Sequence, residues 1–147
     1  MLRPLDSRPN MIRIMGIDVG TVRVGISLSD PLGITAQPLE VVQSKNRSPY
    51  PRILGIIEEY EVTRIVVGNP LQLNGEAGLA SENIAQFVEV LKTKTDLPVE
   101  LWDERLSTAQ AQRVMIGGGA RRSKRRESID KIAAALILQS YLDANSL

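Results

Sequence analysis

The hydrophobic period changes once along this chain, from two residues in the first third to 3.6 residues beyond it, and few folds accommodate that order. Residues 12–18 (IRIMGID) form a short apolar run ending in an acid. Val22, Val24, Ile26 and Leu28 then alternate with Arg23, Gly25, Ser27 and Ser29, the pattern of a half-buried strand. The intervening Val-Gly-Thr is short enough for a hairpin turn, and Asp30-Pro-Leu-Gly33 is a second turn signal before the β-prone residues 34–42. Three sequential antiparallel strands are predicted.

Helices and strands then alternate. Ile53, Ile56, Ile57 and Tyr60 share one helical face, and Pro51 sits where a first turn tolerates it. Residues 64–68 (RIVVG) are continuously apolar, as in a parallel strand covered on both faces, and Ile84, Phe87, Val88 and Leu91 mark a second helix. Another short strand is predicted at 99–102. Ser107 with Gln110 three residues later is a capping box opening a third helix to about residue 116. In the last helix Ile129, Ile132, Ala133, Leu136, Ile137 and Tyr141 form an apolar stripe. The order β-β-β-α-β-α-β-α-α makes an α/β fold with a mixed sheet. Residues 1–10 carry no pattern and are predicted to be a flexible extension, leaving residues 11–147 as a single domain.

The chain has no Cys and no His, which excludes thiol and imidazole catalysis, disulfides and His- or Cys-based metal sites. Any chemistry must use carboxylates, hydroxyls, Lys, Arg or a bound ion. No apolar run approaches the roughly 18 residues of a membrane span, and residues 1–10 lack a signal peptide's apolar centre, so a cytoplasmic protein is expected.

Three acidic positions stand at element ends. Asp18 closes the first strand, Asp103 and Glu104 follow the last, and Asp130 is placed in the opening turn of the last helix. Reactive groups collect outside the carboxyl ends of parallel strands, where Asp18 and Glu104 can converge, and Asp130 joins them if the last helix crosses that end. Ala133 and Ala134 allow a close crossing. Clustered carboxylates repel one another unless a cation neutralises them, and oxygen-only ligands suit Mg²⁺ or Mn²⁺, the ions of two-metal phosphodiester hydrolysis. Taken singly, Asp18 also fits a turn acid, Asp130 an acid favoured by the helix dipole, and Asp103-Glu104-Arg105 a solvated ion-pair loop.

Residues 121–126 (RRSKRR) hold five cations, Arg121, Arg122, Lys124, Arg125 and Arg126, in a chain of net charge +1, which leaves the remainder four units negative. Together with three glycines at 117–119 they predict a mobile basic loop over residues 117–126. Such a loop beside an acidic metal site suits a polyanion. Aromatic residues are only 3% of the chain, so backbone contacts are favoured over base stacking.

Four sequence blocks resemble the YqgF family, the RuvX-like Holliday junction resolvases or pre-16S rRNA nucleases. They are Gly16-Ile-Asp-Val-Gly-Thr-Val-Arg-Val-Gly25 with Ser29-Asp30, Val66-Val-Gly-Asn-Pro70 with Asn74-Gly75, Asp103-Glu-Arg-Leu-Ser-Thr108, and Asp130-Lys-Ile-Ala-Ala134 with Leu138-Gln139. The resemblance implies an RNase H-like fold with a five-stranded mixed sheet in the order 3-2-1-4-5. It also implies a cytoplasmic, metal-dependent hydrolase acting in ribosome biogenesis at the 5′ end of the small-subunit rRNA precursor, with acid roles at Asp18, Glu104 and Asp130. Arg23 and Arg105, beside the acid motifs, are weaker candidates for positioning the scissile phosphate. Asn69 departs from the family, which usually has Leu there. Branched DNA is the alternative substrate, and junction resolution predicts a dimer where RNA trimming needs only a monomer. A non-catalytic RNA-binding factor is the competing class. A sugar-kinase or actin-like ATPase fits less well, because this chain has one half of that architecture and no second glycine-rich phosphate loop.

Overall fold

The computed structural model describes residues 12–70, 78–109 and 122–145, with side chains throughout except at 79 and 122–128. Strands β1 (Ile14–Val19), β2 (Arg23–Ser29) and β3 (Ala36–Gln43) form an antiparallel meander. Helix α1 (Tyr50–Tyr60), strand β4 (Arg64–Asn69), helix α2 (Leu79–Lys92) and strand β5 (Val99–Asp103) follow. A short 3-10 turn at Glu104–Leu106 precedes the long helix α3 (Arg122–Asn145). The sheet order is β3-β2-β1-β4-β5, with β4 parallel to both β1 and β5, as the family resemblance implies.

Side-chain alternation divides the core into two layers. Met15 and Ile17 of β1, Val24, Ile26 and Leu28 of β2, and Ile65 and Val67 of β4 face Ile53 and Ile56 of α1 and Ile84, Phe87, Val88 and Leu91 of α2. The opposite face, with Ile14 and Val66, packs against Leu138, Tyr141 and Leu142 of α3. Pro51 opens α1 at its first turn, and Glu61 ends it in the left-handed conformation, with φ 56°. Strand β3 is the mostly exposed edge, where Pro38 is tolerated. A bulge near it shifts the register from Ile26↔Glu40 to Ser27↔Pro38. No helix among the described residues is long and apolar enough to cross a membrane.

The structure corrects four sequence-based expectations. Strand β2 is buried on both faces: Ser27 and Ser29, expected at solvent-side positions, lie under α3. Small side chains there admit a helix backbone where long polar ones would have marked a wet face. Within the predicted basic loop, Arg122, Lys124, Arg125 and Arg126 belong to α3, because the helix penalty resides in the glycines, while Arg, Lys and Glu are good helix formers. Asp130 therefore lies two turns inside the helix, beyond the reach of the N-terminal dipole. In the apolar stripe, Ala134, Leu138 and Leu142 are buried while Ile132 and Leu136 are only half-buried at its margin. At the expected third helix, Ser107 Oγ accepts the Ala109 N–H at 3.2 Å, as an N-cap does. The rest of that helix, residues 1–10 and residues 117–121, Arg121 included, lie outside the described residues.

Candidate functional site

The geometry of the acidic end follows from how closely α3 lies on the sheet. A Cβ on Gly25 would collide with the main-chain carbonyl of Asp130, and one on Gly16 would stand 2.7 Å from Leu138 Cβ. Neither space admits a side chain. Ser27 Oγ donates to the Ala134 carbonyl at 2.9 Å, so the seam carries a polar stitch between sheet and helix. Ser29 Oγ accepts the Ile14 N–H at 2.9 Å.

Asp18 shares the α3 face of β1 with Gly16, two residues before it, and is only 5% exposed. Its cross-strand partner is Gly25, the residue on which the Asp130 backbone rests. On the other side, Asp18 lies one step past the Ile17↔Val67 pair, level with Gly68. There a Cβ would stand 3.0 Å from Glu104 Oε2 and 2.6 Å from Ile137 Cδ1. The two glycines flanking Asp18 thus make room for the Glu104 side chain on one side and the Asp130 segment on the other.

Adjacent acids at the end of β5 have different surroundings. Glu104 is 3% exposed and turned beneath α3. Asp103 points outward, capping the 3-10 turn through the Arg105 N–H at 2.9 Å and pairing with Arg105 Nη2 at 2.7 Å. The Arg105 guanidinium holds the Asp103 carboxyl below the usual aspartate range. Asp130 points to Arg23 at the start of β2, with Oδ2 3.1 Å from Nε, and the two side chains are 23% and 19% exposed. Among the described residues, no three carboxylates stand close enough together to hold a metal ion. The donor chemistry suits a hard cation, since Asp18 and Glu104 are buried carboxylates at one end of the sheet and would offer oxygen donors. Asp130 Oδ2 is engaged by Arg23 in this arrangement.

Several features of this end escaped the sequence. The Arg23–Asp130 pair spans 107 residues and has no local signature. The small-residue seam was legible on the helix side alone, in the Ala133-Ala134 pair, whereas Gly25 and Ser27 read as the solvent face of a half-buried strand. Asn69 ends β4 opposite Asp103, and its side-chain carbonyl accepts the Ser81 hydroxyl of α2. An Asn in place of the family's usual Leu is thus bonded within the fold.

The sequence profile of the RuvX family, described as a Holliday junction resolvase, matches residues 12–144. The chain belongs to the RuvX family. Relatives in it include a protein of Desulforamulus reducens, 48% identical over 92% of this chain and 99% of its own length. Another is from Listeria innocua, 47% identical over 92% of this chain and 100% of its own length. Both are named "Putative pre-16S rRNA nuclease". Among solved structures, Thermus thermophilus RuvC in complex with a Holliday junction substrate superposes with a TM-score of 0.56 at 20% identity, covering 90% of this chain and 94% of that one. At that identity the likeness establishes the fold: this RuvX chain has the RNase H-like architecture of RuvC.

Proposed function

We propose that the chain is a divalent-metal-dependent nuclease that hydrolyses phosphodiester bonds at the 5′ end of precursor 16S rRNA. The observation that carries the reading is the burial of Asp18 and Glu104 at one end of the sheet, with the Asp130 segment seated on Gly25 beside them. Buried carboxylates repel one another, and a hard cation such as Mg²⁺ or Mn²⁺ relieves that cost. When bound, such ions supply a polarised phosphate and an activated water. Asp18, at the centre of the sheet, would hold such ions together with Glu104 and Asp130. Arg23 and Arg105 orient the scissile phosphate, while Arg121, Arg122, Lys124, Arg125 and Arg126 hold flanking phosphates. The names of the Desulforamulus and Listeria relatives favour ribosomal RNA as substrate.

The family description favours a second reading, resolution of four-way DNA junctions by the same acids. Cleavage of end-labelled precursor rRNA and of a labelled four-way junction, by wild type and Asp18→Asn with Mg²⁺, Mn²⁺ or chelator, tests both. Metal-dependent RNA cleavage that falls by about 10²-fold or more in Asp18→Asn, with folding intact, is the expected result. Cleavage of the junction alone moves the assignment to resolvase. Binding without cleavage of either substrate makes the chain an RNA-binding factor.

A further inference from the structure

The proposed site has one carboxylate paired with an arginine. Asp130 Oδ2 faces Arg23 Nε at 3.1 Å, and the pair is largely shielded from water. An arginine and a metal ion are both cations that seek carboxylate oxygens, and here the arginine holds Oδ2. Arg23 stands at the start of β2, across the tight turn from β1, where the Gly20 N–H bonds the Arg23 carbonyl at 2.8 Å. Its backbone is therefore fixed, and only its long side chain can change partner.

We infer that Arg23 is an internal counter-ion that exchanges partners: it holds Asp130 until a divalent ion takes that carboxylate, and the released guanidinium then binds a phosphate of the nucleic acid. The inference rests on Asp130 being a metal ligand, as proposed above. It adds an order of events, because phosphate capture by Arg23 becomes available only once metal has displaced it. By thermodynamic reciprocity, metal and nucleic acid must then each strengthen the binding of the other. Without metal, the exchange also keeps Asp130 from standing unpaired in a half-buried site.

The test is Mn²⁺ affinity by calorimetry on the full chain, free of nucleic acid, for wild type, Arg23→Gln, Asp130→Asn and the double variant. Removing the competitor is expected to tighten Mn²⁺ binding by about ten- to a hundredfold, the effect of a hydrogen bond between charged groups. That gain must vanish in the Asp130→Asn background, which is where a double-mutant cycle separates exchange from a general field effect. An equal gain in both backgrounds overturns the exchange, because Arg23 then acts only as a nearby positive charge. No gain from Arg23→Gln, with Asp130→Asn still weakening Mn²⁺, overturns the inference and leaves the acid site standing. Unchanged affinity in Asp130→Asn overturns the reading beneath it as well. Arg23→Lys, which keeps a cation in place, serves if Arg23→Gln proves unstable, and is expected to give a smaller gain in the same direction. Affinity for a labelled precursor rRNA fragment supplies the second half. Arg23→Gln is expected to cost more affinity in Ca²⁺ than in chelator, and an equal cost in both overturns the release of Arg23 to phosphate.

Discussion

At Gly25 the close approach of α3 to the sheet depends on one missing methyl group. The atom in its way is a main-chain carbonyl, that of Asp130, which cannot swing aside as a side-chain end can. Gly25→Ala is therefore expected to lift α3 at that point and to cost about 1–3 kcal/mol, measured by urea denaturation. Gly68 is a gentler case, because a methyl there meets the flexible ends of Ile137 and Glu104. Neither requirement is visible before folding, and the acids differ among themselves in the same way. Asp18, Glu104 and Asp130 stood out only jointly, by their placement at element ends that can converge, since each taken singly also fits a structural role. The choice of Glu104 over Asp103 rested on the family resemblance, since adjacent residues differ only in which way the chain turns at the end of β5, and the structure separates them as a cap of the 3-10 turn and a buried carboxylate. The partnership of Arg23 with Asp130 was equally hidden, being created by the folding of β2 under α3.

At the scale of elements, the strands and the first two helices were readable because their apolar residues repeat with the period of the structure they adopt. The start of α3 was not, because its first turns carry charge instead of an apolar stripe, and periodicity is silent there. Between elements, the joint of α1 with β3 is a forked ion pair: Arg52 Nη2 and Nε donate to Glu40 Oε1 at 2.7 Å and Oε2 at 2.8 Å. The hydrogen bonds from Arg52 hold the Glu40 carboxyl below its usual 4.5. A carboxyl depressed in the folded state stabilises the protein fully above its unfolded value, and that contribution is lost as pH falls through the folded value. With both side chains partly exposed, the pair is worth about 0.2–1 kcal/mol. Glu40→Gln is expected to lower stability by that amount at about pH 7 and to match wild type near about pH 2, in denaturant titrations at both values. Helix α3 is joined to β3 by neutral contacts instead, the Gln139 amide accepting the Ala36 N–H at 2.9 Å and donating to the Ile34 carbonyl at 3.0 Å.

For the whole molecule, one helix carries charges of both signs to the same end of the sheet. Arg122, Lys124, Arg125 and Arg126 occupy the first turns of α3, and Asp130 follows within about 12 Å of rise from Arg122. A nucleic-acid backbone reaching the acids therefore passes close to the cationic turns, although the chain as a whole is almost neutral. Attraction of that local kind is read by salt, because each phosphate neutralised on a single strand releases counterions and adds about 0.7 to the slope of log affinity against log salt. Replacing Arg122, Lys124, Arg125 and Arg126 with Gln is expected to weaken binding of a precursor rRNA fragment and to flatten that slope by about 0.7 for each phosphate no longer neutralised. Cleavage measured at saturating substrate should change far less, since the acids remain in place and only uniform binding has been removed. The same four substitutions in the Asp18→Asn background separate the two halves of the site: affinity should fall by the same factor as in the parent, because sites without a shared partner add. Filter binding across a salt series measures both quantities. An unchanged slope would mean that these cations face solvent and that the substrate approaches the acids from another side.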